Sequence, residues 1–124
     1  MLKKKILQLL LIFWVIVITI LSLVSLSGLT KVSIKGVDKY VHLIFYFVFT
    51  VLLILNLIIR FTIQKAVIIS VIIAIIYGII IEVLQGVVTA YREPEILDIL
   101  FNSLGSIFAA LLMIKNHKRL NFIK

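Results

Sequence analysis

The sequence has no cysteine, a single proline and only five acidic residues among its 124 positions. Without cysteine there is no disulfide framework, no thiolate metal site and no cysteine nucleophile. Charge of either sign is scarce: 15% of the residues are charged, against about 25% in a soluble domain. So few charges cannot cover the surface of a folded chain in water. What is present instead is apolar, with 64% hydrophobic residues and a mean hydropathy of +1.31. This composition belongs in a bilayer. The length suits one domain spanning residues 1–124, and there is no low-complexity linker or internal repeat.

The net charge of +8 comes from 13 Lys and Arg. Such a balance often signals nucleic acid, but here the cations separate apolar stretches instead of sharing a polar face. Nucleic acid is therefore not expected as a partner, and the lipid bilayer is. Uncharged runs extend from Ile6 to Thr30, from Tyr40 to Ile59 and from Ile99 to Ile114, while only Glu82 interrupts the stretch between Lys65 and Arg92. About 20 apolar residues cross the hydrocarbon core as a helix. The runs predict spans near residues 6–27, 38–59, 66–90 and 96–114. Stretches such as Val67–Ile76 lack the alternation of a β-barrel strand, and an isolated apolar segment in lipid must satisfy its own backbone as a helix. The first span follows Lys3–Lys5 as a signal peptide would, yet its apolar run exceeds the usual 7 to 15 residues, so it reads as a membrane span. The expected fold is all-α, a four-helix transmembrane bundle with short loops.

Lys and Arg in short connections set orientation. With the N-terminus inside, Lys3, Lys4, Lys5, Arg60, Lys65, Lys115, Lys118, Arg119 and Lys124 fall on the cytoplasmic side, and Lys31, Lys35, Lys39 and Arg92 on the other. The excess places both termini in the cytoplasm. All five acids, Asp38, Glu82, Glu93, Glu95 and Asp98, then lie in the outer half.

At about 100° per residue, Gly78, Glu82, Gln85 and Thr89 share a face of the third span. Asp98, Asn102, Gly105 and Ala109 do so on the fourth. On the second, Asp38 and His42 share a face with Phe49, and Tyr46 lies beside it. His42 sits about 6 Å below Asp38, Asn102 about 6 Å below Asp98, and Glu82 about 12 Å below a helix end at Ala90. The stripes can meet in an outer-leaflet polar pocket lined by Asp38, His42, Tyr46, Glu82, Gln85, Asp98 and Asn102, with Arg92 above it. Plainer roles compete with this one. Asp38 and Asp98 in first turns suit free helix amides and the dipole; Asn102, Gly105 and Ala109 form a small-residue packing stripe, as Gly78 does on the third span. His42 has the plain role of a hydrogen-bonded bystander, and His117 sits in a basic tail that meets anionic lipid. Glu82 stands apart, because an ionisable residue inside a span costs about 2.5 to 3.5 kcal/mol on insertion scales and marks a functional pathway by default. Its structural alternative is to be protonated or paired with Arg92 and merely to lock the bundle.

Three pieces in order, Asp38-Lys39-x-x-His42-x-x-x-Tyr46, Tyr77-Gly78-x-x-x-Glu82-x-x-Gln85, and Arg92 followed by Asp98-x-x-x-Asn102-x-x-Gly105, resemble the VanZ-like family of small bacterial membrane proteins. The resemblance covers about residues 37–110. It departs at Phe45, where a small residue is expected, at Ser103, where threonine is usual, and at Ala109, where a second glycine is common; these departures bear on close packing of the fourth span. The resemblance implies a multi-pass protein of the bacterial cytoplasmic membrane, in a family whose founding member is linked to teicoplanin resistance. It carries over Asp38, Lys39, His42, Tyr46, Glu82, Gln85, Arg92, Asp98 and Asn102 as the polar set. No cofactor or metal is implied.

Three functions compete, besides a purely structural bundle that leaves the placement of the acids unexplained. The pocket binds a lipid-linked cell-wall precursor, a lipid or a lipoglycopeptide, with Lys39 and Arg92 as donors to phosphate or carboxylate. Alternatively, the chain is a membrane-embedded enzyme using His42, Glu82 and Asp98 for acid–base chemistry on a lipid-linked substrate; no nucleophile is evident and no reaction is assigned. In the last, Glu82 beside His42 serves proton-coupled transport or flipping, against which stand four short spans with no broken or repeated helix.

Overall fold

The computed structural model describes residues 1–23, 37–88 and 95–123. Four α-helices run in chain order: α1 (Leu2–Leu23), α2 (Val37–Leu57), α3 (Ile63–Val88) and α4 (Ile96–Lys115), followed by a short 3-10 helix at His117–Phe122. Each of the four is long and apolar enough to cross a membrane. At 1.5 Å per residue they measure about 30 to 39 Å, matching a hydrocarbon core of about 30 Å. The expected all-α, four-helix bundle is what forms.

The helix ends differ from the limits drawn at charged residues. α1 begins at Leu2, so Lys3, Lys4 and Lys5 belong to its first turn. α3 begins at Ile63 instead of residue 66, because Thr62 initiates it: the Thr62 carbonyl accepts from the Ala66 amide at 2.9 Å and its hydroxyl faces the Lys65 amide at 3.5 Å. α2 closes at Leu57, whose carbonyl accepts from Arg60 and Phe61 as the chain turns. The ends predicted at residues 27 and 90 lie outside the described residues.

The three-helix core of α2, α3 and α4 is closest where α2 crosses α4. Gly105 makes this possible: a Cβ there would overlap the Leu43 carbonyl oxygen on α2. Ala109, one turn further along α4, is fully buried. At the end holding the chain's N-terminus, Ile54, Ile58, Ala66, Val67, Ala110 and Met113 form an apolar cluster, onto which Leu120 and Ile123 of the C-terminal segment fold back. A second cluster, Ile18, Tyr46, Phe49, Leu53 and Ala74, joins α1 to α2 and α3.

α1 is the peripheral helix: only 11% of its most apolar window is buried, against 33–39% in the others. Side chains of the core helices bond to its backbone. Asn56 donates to the Leu7 carbonyl at 3.1 Å, Gln85 to the Ser22 carbonyl at 2.8 Å, and Tyr77 to the Val15 carbonyl at 3.4 Å. Tyr77 also bonds Thr19. In return, the Trp14 indole donates to the Phe45 carbonyl at 2.9 Å, with its ring edge-on to Phe45. In lipid, where apolar surface gives helices no reason to associate, such bonds and close packing hold them together. The mid-span Trp14 is thus an interhelical donor.

Candidate functional site

The polar stripes of α2, α3 and α4 do meet, at the end of the bundle opposite the N-terminus. His42 and Asn102 join α2 to α4 through His42 Nδ1 and Asn102 Oδ1, 3.1 Å apart. The Asn102 amide nitrogen lies against α3 at Gly78, where an added Cβ would stand 3.0 Å from it and 3.2 Å from the Tyr46 ring. With the amide oxygen toward the imidazole, Nδ1 carries the hydrogen and donates. His42 Nε2 is then turned to Asp98 Oδ2 at 3.9 Å. That separation is an ion-pair distance and too long for a direct hydrogen bond; it suits a bridging water or a small polar group.

Above this contact, Lys39 sits among three carboxylates. Its Nζ donates to Glu95 Oε2 at 2.9 Å and lies 3.8 Å from Asp98 Oδ1 and 4.0 Å from Asp38 Oδ2. Asp98 is largely buried even though it stands in the first turn of α4, so it faces the bundle and not its own free amides. Asp38 is different. Its side chain is 52% exposed, which places it on the rim and outside the buried set.

Beneath the rim, Tyr46, Glu82, Gln85 and Asn102 are each 2% exposed or less. The Tyr46 hydroxyl has no hydrogen-bond partner among the described residues, and it is within electrostatic reach of Glu82 and Tyr77. Its ring packs edge-on to Phe49 and tilted on Tyr77. The polar set is therefore packed into the helix interfaces, with Lys39, His42 and Asp98 as its access. Arg92, expected above the pocket and as the alternative partner of Glu82, lies outside the described residues, as does Thr89.

Four participants escaped the sequence reading. Glu95 was grouped with the acids but not assigned to the site, yet it makes the shortest contact to Lys39. Thr50 and Ser106, both fully buried, bond to each other at 2.9 Å, one further turn along the stripes of His42 and Tyr46 on α2 and of Asn102 on α4. Extending each stripe by four residues would have found them. Ser70, buried on α3 at the same face as Gly78 and Ala74, follows the same rule.

Fold and site define a multi-pass, all-α membrane protein with an ionisable cluster concentrated at one end of its bundle. Compared with known proteins, the chain matches no family model, no curated protein and no solved structure.

Proposed function

We propose that the chain is a VanZ-like protein of the bacterial cytoplasmic membrane, with both termini inside. In this reading its polar cluster faces the outer leaflet and binds a lipid-linked cell-wall precursor or a lipoglycopeptide, contributing to glycopeptide resistance. One observation carries the proposal. Asp98, His42, Asn102, Gln85 and Glu82, drawn from three helices, are all buried, with His42 bonded to Asn102 and facing Asp98, and polar groups in a membrane interior are costly and mark a functional site by default. They belong to the three segments that resemble the family. Lys39, shared among three carboxylates, supplies the anion contact once it leaves Glu95, so ligand entry exchanges a carboxylate for a phosphate or carboxylate of the ligand.

The proposal is tested with Glu82→Gln, His42→Ala and Asp98→Asn, comparing teicoplanin susceptibility with protein abundance in the membrane. Loss of resistance at normal abundance supports it. Loss only in proportion to missing protein sinks it.

An imidazole held at Nδ1 by Asn102, with its other nitrogen facing Asp98 across 3.9 Å, favours a second reading, that of an enzyme on the same lipid-linked substrates: a positioned histidine near a carboxylate supplies two groups able to move protons. Turnover of a labelled lipid-linked precursor by purified protein, abolished in His42→Ala, distinguishes it from stoichiometric binding. Transport has less support, because the apolar cluster around Ile54, Ile58, Ala110 and Met113 fills the other end of the bundle.

A further inference from the structure

The end of the bundle away from the polar cluster is one-sided in charge, unlike the cluster, where Lys39 meets three carboxylates. Lys3, Lys4, Lys5, Arg60, Lys65, Lys115, Lys118 and Arg119 gather there, and no acidic residue lies at that end of the described chain. Every ion pair between described side chains is at the opposite end, on Lys39 or His42. These cations have no carboxylate to neutralise them from within the described chain.

Among them is a cavity of about 200 Å³ where the turn before α3 faces the 3-10 helix. Its walls carry Thr62, Gln64, His117 and Asn121, and Ile58 and Leu120 are its apolar part. Three contacts hold the 3-10 helix in place. Leu120 packs on the apolar cluster, His117 Nδ1 bonds the Ile114 carbonyl at 2.9 Å, and Lys3 lies over the Phe122 ring at 5.6 Å. The last contact ties the first turn of α1 to the C-terminal segment.

We propose that this cavity binds the phosphate headgroup of an anionic membrane lipid. A hydroxyl, two side-chain amides and an imidazole are directional partners for phosphate oxygens, and the surrounding Lys and Arg supply the long-range attraction. A lipid fits better than a soluble anion for two reasons on the bundle itself. The site opens where the apolar helices end, and Phe61 and Phe122, next in the chain to Thr62 and Asn121, are exposed apolar surface available to an acyl chain. The inference is independent of the proposed role of the polar cluster, which occupies the other end.

The test uses the full chain in nanodiscs holding equal amounts of phosphatidylglycerol and phosphatidylcholine. Lipid retention is read by native mass spectrometry, and a photoactivatable phosphatidylglycerol is mapped to peptides. The wild-type chain is expected to retain phosphatidylglycerol at least about fivefold over phosphatidylcholine, the change that one basic residue at an anionic surface produces, with crosslinks at residues 58–64 and 117–121. In Gln64→Ala and in His117→Ala with Asn121→Ala, which keep every Lys and Arg, the crosslinks at these residues are expected to fall. Crosslinks on the wild-type chain that lie elsewhere overturn the proposal whether or not the variants fold. So do crosslinks at the cavity that the variants keep. Displacement of the bound lipid by millimolar inorganic phosphate would assign the cavity to a soluble anion instead, and also overturns it.

Discussion

Replacing Gly105 by alanine tests whether the α2–α4 crossing is as close as described. The new Cβ would overlap the Leu43 carbonyl oxygen and stand 3.1 Å from the Leu43 carbonyl carbon and the Phe47 amide nitrogen. All three are backbone atoms of α2, so no side chain can rotate away and the helices must part. Overpacking of this kind costs about 1 to 3 kcal/mol, and a backbone obstacle belongs at the upper end. Alanine returns up to about 1 kcal/mol through its better helix propensity. The net loss is about 2 kcal/mol, or roughly a 30-fold shift in the unfolding equilibrium. Gly78→Ala is the internal control: its Cβ meets the Asn102 amide nitrogen at 3.0 Å and the Tyr46 ring at 3.2 Å, both side-chain atoms. It is expected to cost less than 1 kcal/mol net, since Asn102 can yield, while loosening the contact to His42. Reversible unfolding in mixed micelles, followed by circular dichroism, gives both values. If Gly105→Ala unfolds within about 0.5 kcal/mol of wild type, or less easily than Gly78→Ala, the close crossing at Gly105 is wrong.

Further outcomes are open to direct measurement. Asn56→Leu removes donors to the Leu7 and Leu52 carbonyls and should lower micellar stability by about 0.6 to 1.7 kcal/mol, the range for interhelical bonds in lipid; an unchanged midpoint would show that α1 is held by packing alone. Trp14→Phe keeps the ring but deletes the donor to the Phe45 carbonyl, so a similar loss is expected, read in the same unfolding experiment. Because the chain has no cysteine, Glu95→Cys and Lys118→Cys each create a unique label site. An impermeant maleimide should modify the first in intact cells and the second only after lysis, and the reverse pattern would invert the orientation.

Much of the bundle was legible in the sequence because bilayer thickness acts as a ruler. An uncharged run of about 20 residues has one low-energy solution in lipid, and four such runs forecast four helices. The limits were less legible. Lys65 marked where apolar character begins, but α3 starts at Ile63, since a helix obeys its capping group and Lys65 can sit in the first turn with its charge at the interface. The meeting of His42, Asp98 and Asn102, with Tyr46 in electrostatic reach of Glu82, followed from helical periodicity. Glu95 did not, because it precedes α4 and no periodicity reaches it. The C-terminal segment looked like a basic tail; Leu120 and Ile123, whose apolar side chains find the open floor of the bundle, turn it back into a short helix.

Composition and the spacing of charges are properties of one chain segment at a time, and they determined a membrane protein of four helices with its acids gathered at one end. Which helices touch is a different kind of question. The tight α2–α4 crossing depends on Gly105 meeting the backbone of Leu43, and the place of Lys39 depends on Glu95, 56 residues away along the chain. Such contacts are decided by the fit of whole helix surfaces, which a hydropathy pattern does not contain. For the same reason the tertiary structure alone set α1 at the periphery and formed the cavity between Thr62 and Asn121 among unneutralised cations.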